Sequence, residues 1–399
     1  MIELSCDVLV VGGGVAGSAA AVAAARDGAH TILVEQETYL GGTGYAGMFQ
    51  HICGLYLNGD TFPKETLNSG ITREIVGLLK QKSPGKREVQ VGQVFVLPYD
   101  RNALRSALES LCAAEKKLTL MRGCVVRSVD AEVGEVKAVT VEIESKQQSI
   151  AASMMIDCSG NGEIAANAGA AYEFSSPDER QLAGYVIHLK GLSNPEETLS
   201  IKVPYHLAQA VQRGYLPPLT RLTTFSFGDT IDEGYCKMSM GGNDGHERNE
   251  RARKDATEML SYLARTLPSF KNAWIAGTSL KVLDREVRRI CGEYTLTEQD
   301  ILSARKFPDG IVKNAWPIEL WNASKGTSYH YVPRGDYYDI AFRCMIVKGF
   351  KNLLCAGRCI SVTHAALGST RVMGTCMSLG EHAGRAAAYC VSHGKYPQL

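Results

Sequence analysis

The chain is predicted to be an α/β protein built on a parallel sheet, and three observations predict it. Residues 7 to 35 read DVLVVGGGVAGSAAAVAAARDGAHTILVE: an apolar strand, a glycine turn, an Ala-rich helix, a second strand and an acid. A second strand, glycine turn and helix stand at residues 154 to 170, MMIDCSGNGEIAANAGA. An apolar strand, NLLCAG, appears at residues 352 to 357, ahead of a final helix.

A length of 399 residues suggests two domains, or one domain with a large insert. Hydrophobic residues make up 45%, enough for a substantial core. Lys+Arg 43 against Asp+Glu 42 is nearly neutral and no basic block is present, so no nucleic-acid partner is expected. The N-terminus, MIELSCD, has no basic or apolar leader, so no signal peptide is expected. No apolar run is long enough to cross a bilayer. Twelve scattered cysteines include no C-x-x-C pair, which fits the buried free thiols of a reduced cytoplasmic protein. Cys355 and Cys359 lack a second pair of ligands nearby, so core thiols and no metal site are expected.

In the first block, strand Val8 to Val11 runs into Gly12, Gly14 and Gly17. Gly12 permits a tight turn, Gly14 lets backbone approach a pyrophosphate, and Gly17 lets helix pack close to strand. The helix, Ala16 to about Arg26, offers free N–H groups and a partial positive charge at its start. Strand Thr31 to Val34 ends at Glu35, where an acid accepts the ribose hydroxyls of a dinucleotide. Residues 40 to 56, LGGTGYAGMFQHICGLY, are too glycine-rich for core and too apolar for a solvated loop, so they are expected to lie against something flat. Residues 60 to 95 suggest only a small irregular subdomain.

Residues 99 to 115 form an amphipathic helix, with Asp100 as N-cap and Leu104, Ala107, Leu108 and Leu111 on one face. Residues 118 to 157 alternate as a meander returning to the parent sheet, with turns at Val133-Gly134 and Lys146-Gln147. The run at 154 to 170 admits a second dinucleotide site. The returning strand of the first domain is favoured, because no glycine matches Gly17 and no acid-terminated strand follows. Residues 171 to 340 read as a second domain. Its strand-like runs are LAGYVIHL, TTFSFG and YCKMSM, and a surface helix at 247 to 267 turns Ala256, Met259, Leu260 and Leu263 inward. The last helix runs from about Thr375 to His393.

With these pieces placed, the chain resembles the FAD-dependent oxidoreductases of glutathione-reductase-like fold, on the branch related to fumarate reductases. Four blocks carry the likeness: the N-terminal fingerprint with EQETYLGGTGYAG, then IDCSGNGEIAANAGA, then DREVRRICGEYTLTEQDI with FPDGI just after, and the C-terminal run from Tyr338 to Ala388. The resemblance implies a Rossmann-like, glutathione-reductase-type FAD domain with a β-meander at 1–170 and 341–399, and an α+β substrate domain at 171–340. It implies FAD, with the adenine half on Gly12, Gly14, Ala16, Gly17 and Glu35. Gly41, Gly42 and Thr43 would lie by the pyrophosphate and flavin, and Val126, Ser159 and Gly160 would add contacts. Gly357-Arg358 would approach the ribityl chain, and Gly374, Thr375 and Cys376 would offer amides to the flavin pyrimidine. Such amides stabilise the charge of a reduced flavin. Ala341 stands where relatives often have Pro, and Thr43 where they often have Met or a small residue.

The flavin performs hydride transfer while the protein supplies position and charge. In the fumarate reductase branch an Arg and a His hold a substrate carboxylate, which nominates Arg371 and His364; a loop clamp and a neutral structural His are the alternatives. Arg285, Arg288 and Arg289 lie in one strand-like run, with Arg285 and Arg289 expected on one face. Glu286 and Glu293 offer them internal salt bridges. Tyr294 completes the catalytic candidates, with His330, Tyr338 and Arg343 behind it. His51 and Cys53 are placed for packing against the flavin, or for a covalent bond to it. The expected function is a dehydrogenase or oxidase taking hydride from a small polar, carboxylate-bearing metabolite. The alternatives are a reductase of an activated C=C bond and a non-catalytic partner-binding flavoprotein. A second fingerprint and a redox Cys pair are both absent from the sequence, which excludes a pyridine-nucleotide disulfide reductase and leaves oxygen, a quinone or a partner protein as electron acceptor.

Overall fold

The computed structural model describes residues 2–242 and 245–397. β1 (Ile2–Val11) enters the large sheet with Val8 through Val11 buried. Both faces of a parallel sheet are covered, so the run is continuously apolar. The chain turns at Gly12 into α1 (Val15–Arg26), and β2 (Thr31–Glu35) returns parallel to β1. Gly12 has φ +104°, and a Cβ there would stand 2.5 Å from the Cys158 carbonyl oxygen. Glycine alone meets both demands. α1 is buried from Val15 to Ala25, as its unbroken small apolar sequence requires.

The glycine-dense stretch carries α2 (Gly42–Ala46) and β3 (His51–Ile52). Residues 60–95 are more regular than the sequence suggests. They hold α3 (Ile71–Lys82) and the hairpin β4 (Val89–Val91) and β5 (Val94–Pro98), with β3 on the other edge of β5. α4 (Arg101–Ala114) is capped by Asp100, whose Oδ1 accepts from the Asn102 and Ala103 amides at 2.8 and 2.9 Å. The expected face of α4, Leu104, Ala107, Leu108 and Leu111, is buried.

β6 (Leu118–Arg122) pairs parallel with β2. β7 (Val125–Glu132), β8 (Glu135–Ile143) and β9 (Lys146–Asp157) form the meander, and β9 is also the parallel neighbour of β1. The first hairpin turns at Val133-Gly134, as expected, with both φ positive. The second turns at Glu144-Ser145 (φ +46° and +65°) rather than Lys146-Gln147, and Lys146 opens β9. A two-residue turn of this kind takes positive φ at both positions. Glu and Ser meet that demand without the glycine or asparagine that would announce it. α5 (Glu163–Asn167) follows β9.

The chain next builds β10 (Tyr172–Glu173), β11 (Ala183–Lys190), α6 (Leu199–Gln212), β12 (Thr224–Phe227), β13 (Gly234–Met240), α7 (Gly245–Thr266) and β14 (Trp274–Thr278). The four longer strands make an antiparallel sheet in the order β12-β13-β11-β14. Val203 and Leu207 of α6 and Ala256, Met259 and Leu263 of α7 pack on Ile187, Cys236 and Met238 of that sheet. The run 284–290, expected to be strand-like, pairs only through β15 (Arg289–Ile290), which meets β10.

α8 (Glu298–Leu302), β16 (Gly310–Asn314), β17 (Ile318–Asn322), β18 (Gly326–His330) and β19 (Tyr338–Ala341) follow; β16 pairs with β19 and β17 with β18. Leu296, Val312, Ile318, Tyr338 and Ile340 from this stretch share one apolar cluster with α1. β20 (Leu353–Cys355) then rejoins the large sheet beside the end of β9. α9 (His364–Thr370) and α10 (Met373–His393) complete the chain.

α10 lies along α1 at backbone contact. A Cβ on Gly380 would stand 2.0 Å from the Ala16 carbonyl oxygen, and one on Gly384 2.1 Å from that of Ala20. Even a methyl group must push these helices apart, and overpacking a tight core costs about 1–3 kcal/mol. Gly384→Ala is therefore expected to lower stability by about that amount in urea unfolding. A substitution that proved neutral or stabilising would contradict the backbone contact.

Candidate active site

One elongated cavity of about 590 Å³ opens at the carboxyl ends of β1, β2, β9 and β20 and runs beneath the four-stranded sheet to the start of α10. This is where open α/β sheets bind ligands. Its first end is built from glycine turns. Gly12 and Gly14 line it, and the Gly41 amide donates to the Gly13 carbonyl at 2.9 Å. Gly42 rests against Gly14, where a Cβ would be 3.1 Å from the Gly14 Cα. A Cβ on Gly14 itself would meet nothing within 4 Å, so this turn faces open space. Glu35 is buried at the same end. Its Oε2 accepts from the Gly13 amide at 2.5 Å and its Oε1 from the Glu37 amide at 2.8 Å. Burial raises its pKa against these two hydrogen bonds. Each oxygen keeps a lone pair for a further donor.

The second glycine turn is a strut of the first site. The fully buried Asp157 accepts from the Ser159 amide and hydroxyl at 3.0 and 2.6 Å and from the Ile164 and Ala165 amides at 2.8 and 3.1 Å. Its carboxylate thus caps α5, and β9 sits in the same sheet as β1. Ser159, Gly160, Gly357 and Arg358 line the cavity. Arg358 ties the turn together, donating from Nε to the Gly160 carbonyl at 2.9 Å and from Nη1 to the Asp284 carbonyl.

The cavity wall differs from the expected contacts at several points. Ala16 and Thr43 line it. Gly17 stays inside α1, packed against the Gly12 carbonyl. Val126 of β7 pairs with Val141 of β8 and packs against the apolar cluster of the sheet, away from the cavity lining. Gly374 and Thr375 are behind the wall: the Gly374 amide donates to the Cys53 carbonyl at 2.9 Å, and Thr375 is fully buried. Val372, Met373 and Cys376 face the cavity instead. The segment at Cys53-Gly54 presses on the helix start and takes the amide that the resemblance assigns to a flavin. His51 and Cys53 line the cavity. Burial lowers the His51 pKa, helped by Lys86 and Lys237, and pushes the Cys53 thiol up to about 12. A thiol so held is a poor nucleophile.

The opposite end gathers three cations and one acid. Arg285 lies 4.1 Å over the Trp321 ring and donates from Nη1 to the Leu182 carbonyl at 2.5 Å. Arg371 donates from Nη2 to the Glu319 carbonyl at 3.3 Å and to Gln181 at 3.4 Å, and stands 3.6 Å from Glu319 Oε2. Lys237 sits 4.2 Å over the same Trp321 ring. Glu319 Oε1 accepts from Trp321 Nε1 at 3.0 Å and from the Tyr329 hydroxyl at 3.3 Å. Burial drives the Glu319 carboxyl up, yet Lys237, Arg371 and Arg285 hold it below its ordinary value. Burial, then Arg371, brings Arg285 down to about 9. Burial, then Arg285, brings Lys237 down to about 8. Arg285 Nη2 and Arg371 Nε are buried without a hydrogen-bond partner.

Other expected catalytic residues lie elsewhere. Arg289 and Arg285 do not share a role, because the run between them is not a regular strand. Arg289 donates from Nη1 to Glu286 at 2.5 Å and from Nη2 to Glu173 at 3.3 Å. His364 Nδ1 is 2.9 Å from Glu286 Oε2 and 3.3 Å from Ser175 Oγ. Glu286 is fully enclosed, so it draws both partners away from the cavity. The exposed Glu293 takes no part in this. Tyr294 donates to Asp300 Oδ2 at 2.8 Å in the cap of α8. Arg288 stacks 5.3 Å from the Tyr172 ring, and Arg343 pairs with Asp309 at 2.9 Å. Tyr338 bonds the Ser369 hydroxyl at 2.6 Å in the core, and His330 is exposed on β18. The sequence reading missed Lys237, Glu319 and Trp321. A lone Lys inside YCKMSM and a lone Glu inside WPIELW were the available signals.

A family model described as FAD dependent oxidoreductase matches residues 7–399. No curated protein matches the chain. Among solved structures, CabE, an aromatic hydroxylase from angucycline biosynthesis, is 14% identical with a TM-score of 0.52; 97% of this chain covers 63% of that one. The OxyS anhydrotetracycline hydroxylase from Streptomyces rimosus is 12% identical with a TM-score of 0.51; 98% of this chain again covers 63%. A geranylgeranyl bacteriochlorophyll reductase-like protein from Thermoplasma acidophilum is 12% identical with a TM-score of 0.49, at 98% and 79% coverage. These likenesses are of fold. The chain spans less than two thirds of the length of the two hydroxylases.

The Glu286 network holds the wall of the site rather than the substrate. Removing its carboxylate leaves Arg289 buried and underpaired, a change that typically costs about 3–5 kcal/mol. Glu286→Ala is expected to lose that much in urea unfolding. A loss under about 1 kcal/mol would show that Glu286 is not the anchor of Arg289.

Proposed function

Since the chain belongs to the family of FAD-dependent oxidoreductases, with FAD as its cofactor, we propose that it is a dehydrogenase or oxidase that removes hydride from a small carboxylate-bearing metabolite. The residues fit FAD. Glu35 has oxygens free to accept ribose hydroxyls, the turn at Gly14 leaves space for pyrophosphate, and Gly42, Thr43, Gly357 and Arg358 continue the groove towards α10. FAD supplies two-electron hydride acceptance. The chain supplies a place to hold the other reactant.

The observation that carries the substrate class is the pair of buried, unpartnered guanidinium nitrogens, Arg285 Nη2 and Arg371 Nε, on one cavity wall. A buried donor left unmade is expensive, and three cations face a single carboxylate, Glu319. A carboxylate ligand would accept from both arginines and balance the charge. Trp321 keeps the Arg285 plane fixed while that ligand enters.

The fumarate reductase branch offers an Arg and a His for this task. Arg371 reaches the cavity and His364 turns to Glu286, so dehydrogenation is the reading we carry forward over reduction of a C=C bond. We assign FAD binding to 1–170 and 341–399 and substrate binding to 171–340, in the glutathione-reductase-type arrangement. The division is one of task, since part of the second region shares its apolar cluster with α1. No described helix is long and apolar enough to cross a membrane, and the twelve cysteines are free. The reducing cytoplasm suits such thiols. Oxygen, a quinone or a partner protein would take the electrons onward.

Anaerobic bleaching of the yellow holoprotein by a panel of metabolites tests the reading. Carboxylate-bearing compounds are expected to bleach it and their amide analogues are not. Arg371→Ala should lower kcat/KM for the bleaching compound about 100-fold, chiefly through KM, with FAD content retained. Equal loss of FAD and turnover would make Arg371 a structural clamp.

A further inference from the structure

We infer that Lys237 is the residue that exchanges a proton with the substrate, taking it from an N–H or O–H beside the carbon that gives up hydride. This rests on the carboxylate reading above. It adds the acid–base group that the sequence did not reveal.

β13 is a central strand, with Lys237 opposite Thr224 of β12 and Val186 of β11. Its backbone is therefore pinned on both sides. Cys236, Met238 and Met240 point into the core under α6 and α7, which sends Lys237 to the cavity face. There it shares the Trp321 ring with Arg285. Among the described residues its ammonium has no ion-pair or hydrogen-bond partner; the ring is its contact. Glu319, the acid across from it, already serves Trp321, Tyr329 and Arg371.

The groups that face Lys237 from the packed elements are Arg285, Arg371, Glu319, Cys53 and His51, with Tyr235 on its own strand. Glu233, also on the approach to that strand, is paired with Lys190 and His188. Arg285, though burial brings it to about 9, stays protonated more firmly than Lys237, and a guanidinium is a poor base. Cys53 keeps its proton far above neutrality, and Glu319 is held low by three cations. His51 is uncharged and could take a proton. It lies on β3, however, where burial and the fields of Lys86 and Lys237 all oppose its taking a proton. Lys237 remains. Burial, then the two arginines, brings it down to about 8, where both its forms are populated near neutral pH.

The step balances. The substrate C–H bond breaks and its electron pair leaves with the hydrogen to FAD, the two-electron oxidant. The neutral Lys237 amine takes the proton from the adjacent N–H or O–H, and that bond's electron pair forms the new π bond to carbon. The resulting ammonium returns its proton to water. In the reverse direction the ammonium is the donor.

The test uses the holoenzyme and Lys237→Met, Lys237→Ala and His51→Gln variants. Competitive labelling with acetic anhydride across pH 6–11, read by mass spectrometry, is expected to show half-labelling of Lys237 near pH 8 and of exposed lysines above about 10. With the metabolite that bleaches the wild type, the bleaching rate should rise with pH and level off above about 8 for dehydrogenation. Lys237→Met should lower that rate at least about 100-fold, leave KM nearly unchanged and flatten the pH profile. Methylamine should restore part of the rate to Lys237→Ala. Half-labelling with the exposed lysines, or a Lys237→Met rate within about threefold of wild type, overturns the inference, as does transfer of the whole loss to His51→Gln. A wild type that no carboxylate bleaches overturns the substrate reading first, and this inference with it. Bleaching that depends on Arg371 and survives Lys237→Met refutes Lys237 alone.

Discussion

The contact of α10 with α1 fixes the geometry of everything else. Two carbonyl oxygens of α1, from Ala16 and Ala20, occupy the places where side chains of residues 380 and 384 would be. Glycine inside a helix costs about 0.5–1 kcal/mol relative to alanine. That cost is offset here by burial of an Ala-rich helix against its partner along most of its length. The consequence is positional. The last helix of the chain cannot slide along the first, so its start at Val372 and Met373 stands at a set distance from the Gly12–Gly14 turn. β20 enters beside β9 in the same register, and Gly357-Arg358 meets Gly160. A cavity assembled from both ends of the chain keeps its shape because those ends are locked at backbone contact.

Local chemistry leaves local marks, and those parts of the molecule were legible. The first end of the cavity is built from backbone amides, tight turns and one acid, so Gly12, Gly14, Glu35 and the strand–helix–strand order announce it. α4 was readable from its cap and its apolar face, and the meander from its alternation. Residues 60–95 were not, because their order comes from far away. Asn58 donates to the Ala315 carbonyl at 2.6 Å and accepts from the Phe95 amide, and Asn68 exchanges two hydrogen bonds with Lys313. No window of the sequence contains both halves of those bonds. The hairpin turn at Glu144-Ser145 escaped for the opposite reason: the backbone demands are local, but the residues that meet them are not the usual ones.

The substrate end was only partly legible. Arg371 and Arg285 could be named as arginines in suggestive runs, but so could Arg289 and Arg288. What separates them is Glu286. It sits where Arg289 and His364 both reach it, and beyond the reach of Arg285. That sorting is a matter of tertiary distance. Glu319 and Trp321 stand two apart on β17, but Lys237 comes from β13 in another sheet, so nothing local betrays their convergence.

The charge arrangement at that end argues for a ligand on energetic grounds. Desolvating a cation costs several kcal/mol unless a counter-charge and good hydrogen bonds repay it. In three places this protein obeys the rule: Arg289 meets Glu286, Arg343 meets Asp309 and Arg248, also on the cavity wall, meets Asp284. At the Trp321 end of the cavity it departs from it. Arg285 and Lys237 share an aromatic ring in place of a carboxylate, Arg371 shares Glu319 at 3.6 Å, and nitrogens of both arginines go unbonded. Glu319 cannot neutralise all three, because Trp321 and Tyr329 draw on its oxygens too. Arg289, Arg343 and Arg248 each meet a carboxylate, whereas this end keeps a surplus of cations over acids. Perturbed, underpaired groups concentrated in one cleft mark a functional site. The sign of the surplus and the planar guanidinium forks are what support the carboxylate ligand proposed above.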